Sequence, residues 1–511
     1  MSLARALAGV GYLCLAVPGP LSANEFWAPV VPPRAKYHIV VSYSPDTQRL
    51  QGTQGIRFRN DTGRLIDRVA FRWYGEITGV RSNGAVASRP PGQYAQHLFD
   101  LPQPLRPGGD IELAVEFAAD WPLNSRSSSA VTSFLSPKLW WGFGAHDDYE
   151  VELRVPEGYA FATSGRLDPA TGLHVAVGAR SFGLFIGKGY DTAEADTGGV
   201  LVRAVFTPRG RPCAELLLRT AVDAIGFYRQ RFGFYPHAQL SIVPGGAEPS
   251  GGYPAATGLV VVHGQERMTE WDEQAWRRIT AHEIGHQYWM EHVLAEGAEP
   301  LPWLMLGLGI HTDREYRRAR GITSGALVQS YIRGVTEGHD TTMDLTEEQR
   351  EAAKWNVNNI VDHGKSAALM NALEAVVGID AFDAVYRRCL REFAGRRLGW
   401  REFQRVAEGE AGQDLGWFFE QWVRSSKAAD YRVKDSTCSG AAGVHTCAVT
   451  VEALGKMRMP VSVLARFGDG SEQHARTDRL ADVDVLTFRA RAPLKDVVIE
   501  PESAITLIAA P

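Results

Sequence analysis

Cysteine is scarce, with five in 511 residues, and no two of them form a Cys-x-x-Cys pair. That excludes the common zinc-ribbon and dithiol redox patterns. Charge of one sign is also lacking: 54 basic residues stand against 59 acidic ones, a formal charge of −5, with no Lys/Arg run. No basic domain stands out to match a phosphate backbone, which argues against nucleic acid as a partner. Past the N-terminus no hydrophobic run approaches the roughly 20 residues that span a bilayer. What is present is ordinary globular composition, 45% hydrophobic and 22% charged. The chain is neither disordered nor collagen-like, and its length suits about three domains.

Met1 to Ala23 reads as a secretory signal. Arg5 supplies the positive start, Ala6 to Val17 the apolar run, and Leu21-Ser22-Ala23 the small residues of a cleavage site. The mature chain is expected to begin near Asn24 and to be secreted or periplasmic, with no transmembrane segment left. In an oxidising compartment Cys438 and Cys447, which flank the turn Ser439-Gly440-Ala441-Ala442-Gly443, are expected to pin a hairpin. The alternative is two half-buried thiols. Cys213 and Cys389 fall among apolar residues of helical segments and read as core thiols.

From Lys36 to Phe206 the pattern alternates. Tyr37 to Tyr43, Gly52 to Phe58, Ile111 to Phe117, Tyr149 to Val155 and Val200 to Phe206 read as strands between Gly, Pro and Asp. At Pro212 the period changes. Ala214 to Phe232 has helical spacing and ends at Gly233. Helical segments follow at Trp271–His292, Trp303–Arg318, Glu347–Asn358, Lys365–Val377, Ala381–Phe393 and Leu415–Val423. Ser425 to Val433 reads as a linker, and alternation returns at Val449–Ala453, Val461–Phe467, Val485–Ala490 and Val497–Glu500. The expected fold is multidomain α+β, with a β domain over 36–206, a helical domain over 207–425 and a β-sandwich over 432–508.

The helical segment around residue 280 holds His282-Glu283-Ile284-Gly285-His286. Residues four apart share a helix face, so both imidazoles can address one metal ion. Glu283 stands beside them, placed as a general base toward a water activated by that metal.

The order of motifs along the chain resembles the M1 family of zinc peptidases, the gluzincins related to aminopeptidase N. The resemblance runs from about Lys36 to Pro501. It rests on Leu50-Gln51-Gly52, on Phe232-Gly233-Phe234-Tyr235-Pro236, and on Ser250-Gly251-Gly252-Tyr253 where that family has its Gly-rich exopeptidase motif. It also rests on His282 to His286 followed by Gln287-Tyr288-Trp289, on Trp303-Leu304 and Arg314-Glu315-Tyr316, and on Phe418-Phe419-Glu420-Gln421-Trp422. It implies a thermolysin-like catalytic domain, one zinc ion on His282 and His286, Glu283 as catalytic base, Gly251 and Gly252 at the substrate, and a peptide or protein substrate.

The departures are as specific. The family's third zinc ligand is a Glu in a Trp-Leu-Asn-Glu-Gly stretch. Here Trp303-Leu304-Met305-Leu306-Gly307 puts Leu306 in that slot, or Met305 on strict counting from His286. The family's amine-binding Glu has no counterpart in Gly251 to Ala255, and its oxyanion-stabilising Tyr is replaced by Val361, with His363 two residues on as a substitute donor. His292 has the metzincin spacing for a third ligand, but Trp289 stands where that turn needs Gly. Asp313 is placed to hold an imidazole rather than the metal. The third protein ligand is thus not identified. Two functions remain open: a zinc metallopeptidase that is not a strict aminopeptidase, and an inactive peptide- or protein-binding pseudoenzyme on the same scaffold.

Overall fold

The computed structural model describes residues 31–499, apart from 91–96, 124–128, 133–134, 141–145, 296–302, 324–326, 442 and 479–480. The expected leader, Met1 to Ala23, lies outside them. The chain divides into two compact units, Met1–Gly189 and Tyr190–Pro511.

The first unit is built on strands. Ala35–Ser44, Arg49–Arg59 and Asp110–Asp120 lie side by side in an eight-stranded sheet. Their alternation buries Ile39, Val41, Leu50, Ile56, Leu113 and Val115 on one face. Asp147–Arg154 joins the first of these strands in parallel, Tyr37 opposite Tyr149. The two rings stack at 4.8 Å, and the buried ammonium of Lys138 bonds both the Tyr149 hydroxyl and the Asp147 carboxylate. Asp147 also accepts from the Ala35 amide at 2.8 Å. A charged pair this deeply placed is satisfied from several sides, as burial requires.

The second unit opens with a five-stranded mixed sheet, in spatial order Asp191–Thr197, Val200–Phe206, Gln239–Pro244, Leu259–Val262 and Gly252–Ala256. Val200–Phe206 runs parallel to Gln239–Pro244. The pairing therefore draws residues 191–206 into this sheet and away from the N-terminal β domain in which alternation alone had placed them. Among the described residues Gly252–Ala256 is an edge strand, paired only to Leu259–Val262.

Nine described helices follow the first two of these strands: α1 (Arg211–Phe232), α2 (Glu273–Tyr288), α3 (Trp303–Arg320), α4 (Val328–Thr336), α5 (Glu347–Ala352), α6 (Ser366–Val377), α7 (Ile379–Glu392), α8 (Trp400–Ala411) and α9 (Gly416–Val423). A π-helical stretch, Asn358–Lys365, leads into α6. The segment expected as one helix over Glu347–Asn358 stops at Ala352, and α4 and α8 were not anticipated. Among the described residues no helix is long and apolar enough to cross a membrane.

Beyond α9, two three-stranded antiparallel sheets form, Tyr431–Ala441/Val444–Ala453/Val483–Ala490 and Glu472–Arg476/Ser462–Phe467/Leu494–Ile499. Their inward residues Val449, Val451, Val463, Ala465 and Phe488 share one continuous core with the helices. Cys438 and Cys447 face each other across the first hairpin and are disulfide-bonded. Cys213 and Cys389 are buried and free.

Candidate metal and catalytic site

Helix α2 starts where Asp272 caps it, its side chain accepting from the Ala275 amide at 2.7 Å. From Ile279 to Tyr288 every residue of α2 is buried, so this half of the helix meets protein on all sides. Tyr228 of α1 donates to the Ala281 carbonyl at 3.0 Å. The edge strand lies along another flank. At Gly252 a Cβ would stand 2.4 Å from the Val261 carbonyl oxygen and 3.1 Å from Cγ of Glu283, so glycine alone lets strand and helix meet there. Gly251 has φ +111°.

The two imidazoles converge. His282 and His286 ring centroids lie 4.5 Å apart and their Nε2 atoms 3.1 Å apart. Each ring is oriented from behind. Nδ1 of His282 lies 2.7 Å from Oδ2 of Asp313, and Nδ1 of His286 donates to the Trp289 carbonyl at 3.3 Å. With both Nδ1 atoms engaged outward, the two Nε2 atoms face the same space, where they share one proton in a hydrogen bond or together address one cation. The donor set is that of a zinc ligand pair with outer partners that fix the tautomer.

Glu283 adds a second unfilled demand. It is 2% exposed, and its Oε2 is buried with no hydrogen-bond partner. Burial pushes its carboxyl up to about 7, against the opposing pull of His282 and Arg278. Burial also opposes charge on His282, but the Asp313 hydrogen bond and the Glu283 charge outweigh it and raise its pKa. His286 is held well below its ordinary value, first by burial and then by the charge on His282. A carboxyl poised near neutrality beside two convergent imidazoles is suited to take up and return a proton.

Helix α3 supplies the far wall. Asp313 also accepts from Arg317 Nε at 2.7 Å. One turn back, Gly309 lies against His286: a Cβ there would be 2.6 Å from the imidazole Cε1. Another turn back on this face stands Leu306, buried with Ile310 and Ala367 in a small apolar cluster. The slot expected for a third ligand is therefore filled by hydrocarbon.

The alternative ligand His292 is placed elsewhere. α2 ends at Tyr288, and the reversal is made by Met290 at φ +124°, not by Trp289. Beyond it, His292 Nε2 donates to the Leu390 carbonyl at 3.1 Å and its ring packs edge-on against Phe234. His363 does approach the pair. It sits in the π-helical stretch with Nδ1 2.9 Å from the Asn358 carbonyl oxygen, and its charged form is opposed by burial and by His282. Val361 points into the core. Among the described residues, the one set of three ligand atoms within 4.8 Å of one another is His311, Glu315 and Glu374, not a set built on the His282–His286 pair. That second cluster already has its cation. Arg314 Nη1 lies 3.3 Å from Glu374 Oε1 and 3.2 Å from His311 Nε2, and Glu374, despite burial, is held at about 2 by His311, Arg314 and Arg318.

Neither a family model nor a curated protein sequence matches the chain. Solved structures do. An M1 zinc metallopeptidase from Deinococcus radiodurans superposes with a TM-score of 0.58 at 16% identity, covering 78% of this chain and 94% of that one. The fold is that of M1 zinc metallopeptidases. Mutants of a two-domain M1 zinc metallopeptidase match equally, one bound to L-arginine (TM-score 0.57, 17% identity) and one bound to L-tryptophan (0.58, 16%), each covering 77% of this chain and 94% of its own. The M1 scaffold thus carries here a helix with two convergent imidazoles and a buried carboxyl. Gly309 and Asp313 are site residues of that scaffold whose signals differ. Asp313 is legible as a polar residue two turns past Leu306. Gly309 is legible only as a helix-breaking glycine inside a helical pattern, which calls for a packing reason.

Proposed function

We propose that the protein is an exported zinc-dependent peptide-bond hydrolase, secreted or periplasmic, and not a strict aminopeptidase. The observation that carries this is the pair of Nε2 atoms 3.1 Å apart on α2, each ring locked through Nδ1, with the unpartnered carboxyl of Glu283 on the next residue. His282 and His286 would hold the zinc ion. When bound, zinc supplies a Lewis acid for the scissile carbonyl and for a nucleophilic water. Glu283 takes the proton of that water and returns it to the leaving amine. Gly251 and Gly252 leave the edge strand's backbone open to an extended peptide. No carboxylate stands in Gly251 to Ala255 to pair with a substrate's free amine.

A second reading has its own observation. Leu306 and its apolar neighbours occupy the position where a third ligand would be, and structural and catalytic zinc sites normally use three or four protein ligands. On that reading the chain binds peptides without cleaving them. Zinc content of the purified protein, together with cleavage of N-terminally free and acetylated peptides, separates the two. One zinc per chain and equal cleavage of both peptides is expected for the hydrolase. A metal-free protein that cleaves neither would overturn it in favour of the binder.

A further inference from the structure

Arg278 stands one turn before His282 on the same face of α2, in the series 278, 282, 286. Its charge acts on both His282 and Glu283. Other arginines of this unit are committed to carboxylates: Arg231 to Asp383 at 2.5 Å, Arg317 to Asp313 at 2.7 Å and Arg350 to Asp362 at 2.6 Å. Among the described residues no carboxylate pairs with Arg278, and within this half-buried side chain Nε is shut off from water without a hydrogen-bond partner. A guanidinium N–H removed from water and left unbonded is unfavourable, so its position asks for an acceptor that the described residues do not provide. Asp313, the other carboxylate that faces His282, is already held by Arg317 and His282.

We propose that Arg278 is a specificity-determining residue that binds a carboxylate of the peptide. This rests on the peptide-binding function proposed above and gives it a substrate class. The geometry sets the distance roughly. One helical turn is about 5.4 Å and an extended peptide advances about 3.4 Å per residue. The carboxylate then lies one or two residues from the bond addressed by His282 and His286. With an amine-binding acid missing and an unpaired cation present, the charge preference of the site is for anionic rather than cationic substrate groups. Two sources offer that chemistry, a free C-terminal carboxylate and an acidic side chain.

The test uses the full-length mature chain carrying Glu283→Gln, so that bound peptide is not consumed. Isothermal titration compares N-acetylated tetra-alanine as the free acid, the same peptide as its C-terminal amide, and amidated peptides with one Asp at each position. The expected result is that one carboxylate-bearing class binds about 10- to 100-fold more tightly than neutral amidated tetra-alanine, the range of a charge-assisted hydrogen bond. Tight free acid identifies the C-terminus; tight Asp peptide identifies the side chain. Adding Arg278→Gln should erase the preference while leaving the affinity for the neutral amide within about two-fold, and Arg278→Lys should keep part of it. Equal affinities for acid, Asp and amide peptides, or a preference that survives Arg278→Gln, would overturn the inference and leave the hydrolase reading standing. Failure of every peptide to bind would overturn both.

Discussion

Asp313 grips His282 from the side away from His286, with Oδ2 2.7 Å from Nδ1, while its other oxygen receives Arg317. Burial opposes ionisation of Asp313, but His282 and Arg317 outweigh it and hold its pKa below the ordinary value. The carboxylate therefore stays charged and fixes the imidazole with Nε2 toward His286. Asp313→Asn should weaken zinc binding by about 10–100-fold, the usual loss when a ligand's outer partner is changed. Chelator competition on parent and variant measures it, and unchanged affinity would show that His282 needs no such support.

Leu306 lies on the face of α3 that carries Gly309 and Asp313, both against the histidine pair of α2. Leu306→Glu should destabilise the metal-free protein by about 1–3 kcal/mol, since it buries a carboxyl in an apolar cluster. Zinc should restore that loss and bind more tightly than to the parent. Thermal melts with and without zinc give both numbers. A variant whose melting temperature ignores zinc would mean that residue 306 does not reach the ion.

The Glu283 carboxyl of the metal-free protein carries a pH signature. Its pKa is raised from 4.5 to about 7 by burial. The folded state therefore holds this proton more tightly than the unfolded chain does. The associated stability is complete below about pH 4.5 and is lost as pH rises through 7. Glu283→Gln removes the titration. The variant should gain on the parent between pH 5 and 8, by up to about 3 kcal/mol at the upper end. Denaturant melts of both metal-free proteins across this range test it; a stability difference that is flat in pH contradicts it.

Gly252 is held between the Val261 carbonyl and Glu283. Gly252→Ala should cost about 1–3 kcal/mol through overpacking and should displace the Glu283 side chain. A melting temperature equal to the parent's would show that the strand yields without strain.

Cys438 and Cys447 close a small loop in a hairpin, and Cys447 is fully buried. Replacing both with serine should destabilise the C-terminal sheets by about 2–3 kcal/mol. Limited proteolysis should then cut first near the 438–447 hairpin, and cleavage elsewhere first would count against a local role for the bond.

The sequence by itself determined most of the elements and the convergent histidine pair. His282 and His286 lie four apart on a helix, and helical geometry alone brings them to one face. Alternation located the strands of both β regions, and the hairpin disulfide followed from two cysteines across a short Gly-containing turn. Those are local facts, set by periods of 2 and 3.6 residues. Tertiary structure decided what depends on distant partners. Residues 191–206 alternate like the strands before them, and only their pairing with Gln239–Pro244 assigns them to the second unit. His292 and His363 look equally available in sequence. The turn at Met290 sends the first to the Leu390 carbonyl, and the π-helical stretch brings the second toward the histidine pair. Gly309 and Arg278 give no chemical signal of their own. The first matters because another helix's imidazole rests on it, and the second because its Nε finds no acceptor among the described residues. Contacts between residues far apart in sequence are set by the packing of whole elements, and no local period encodes them.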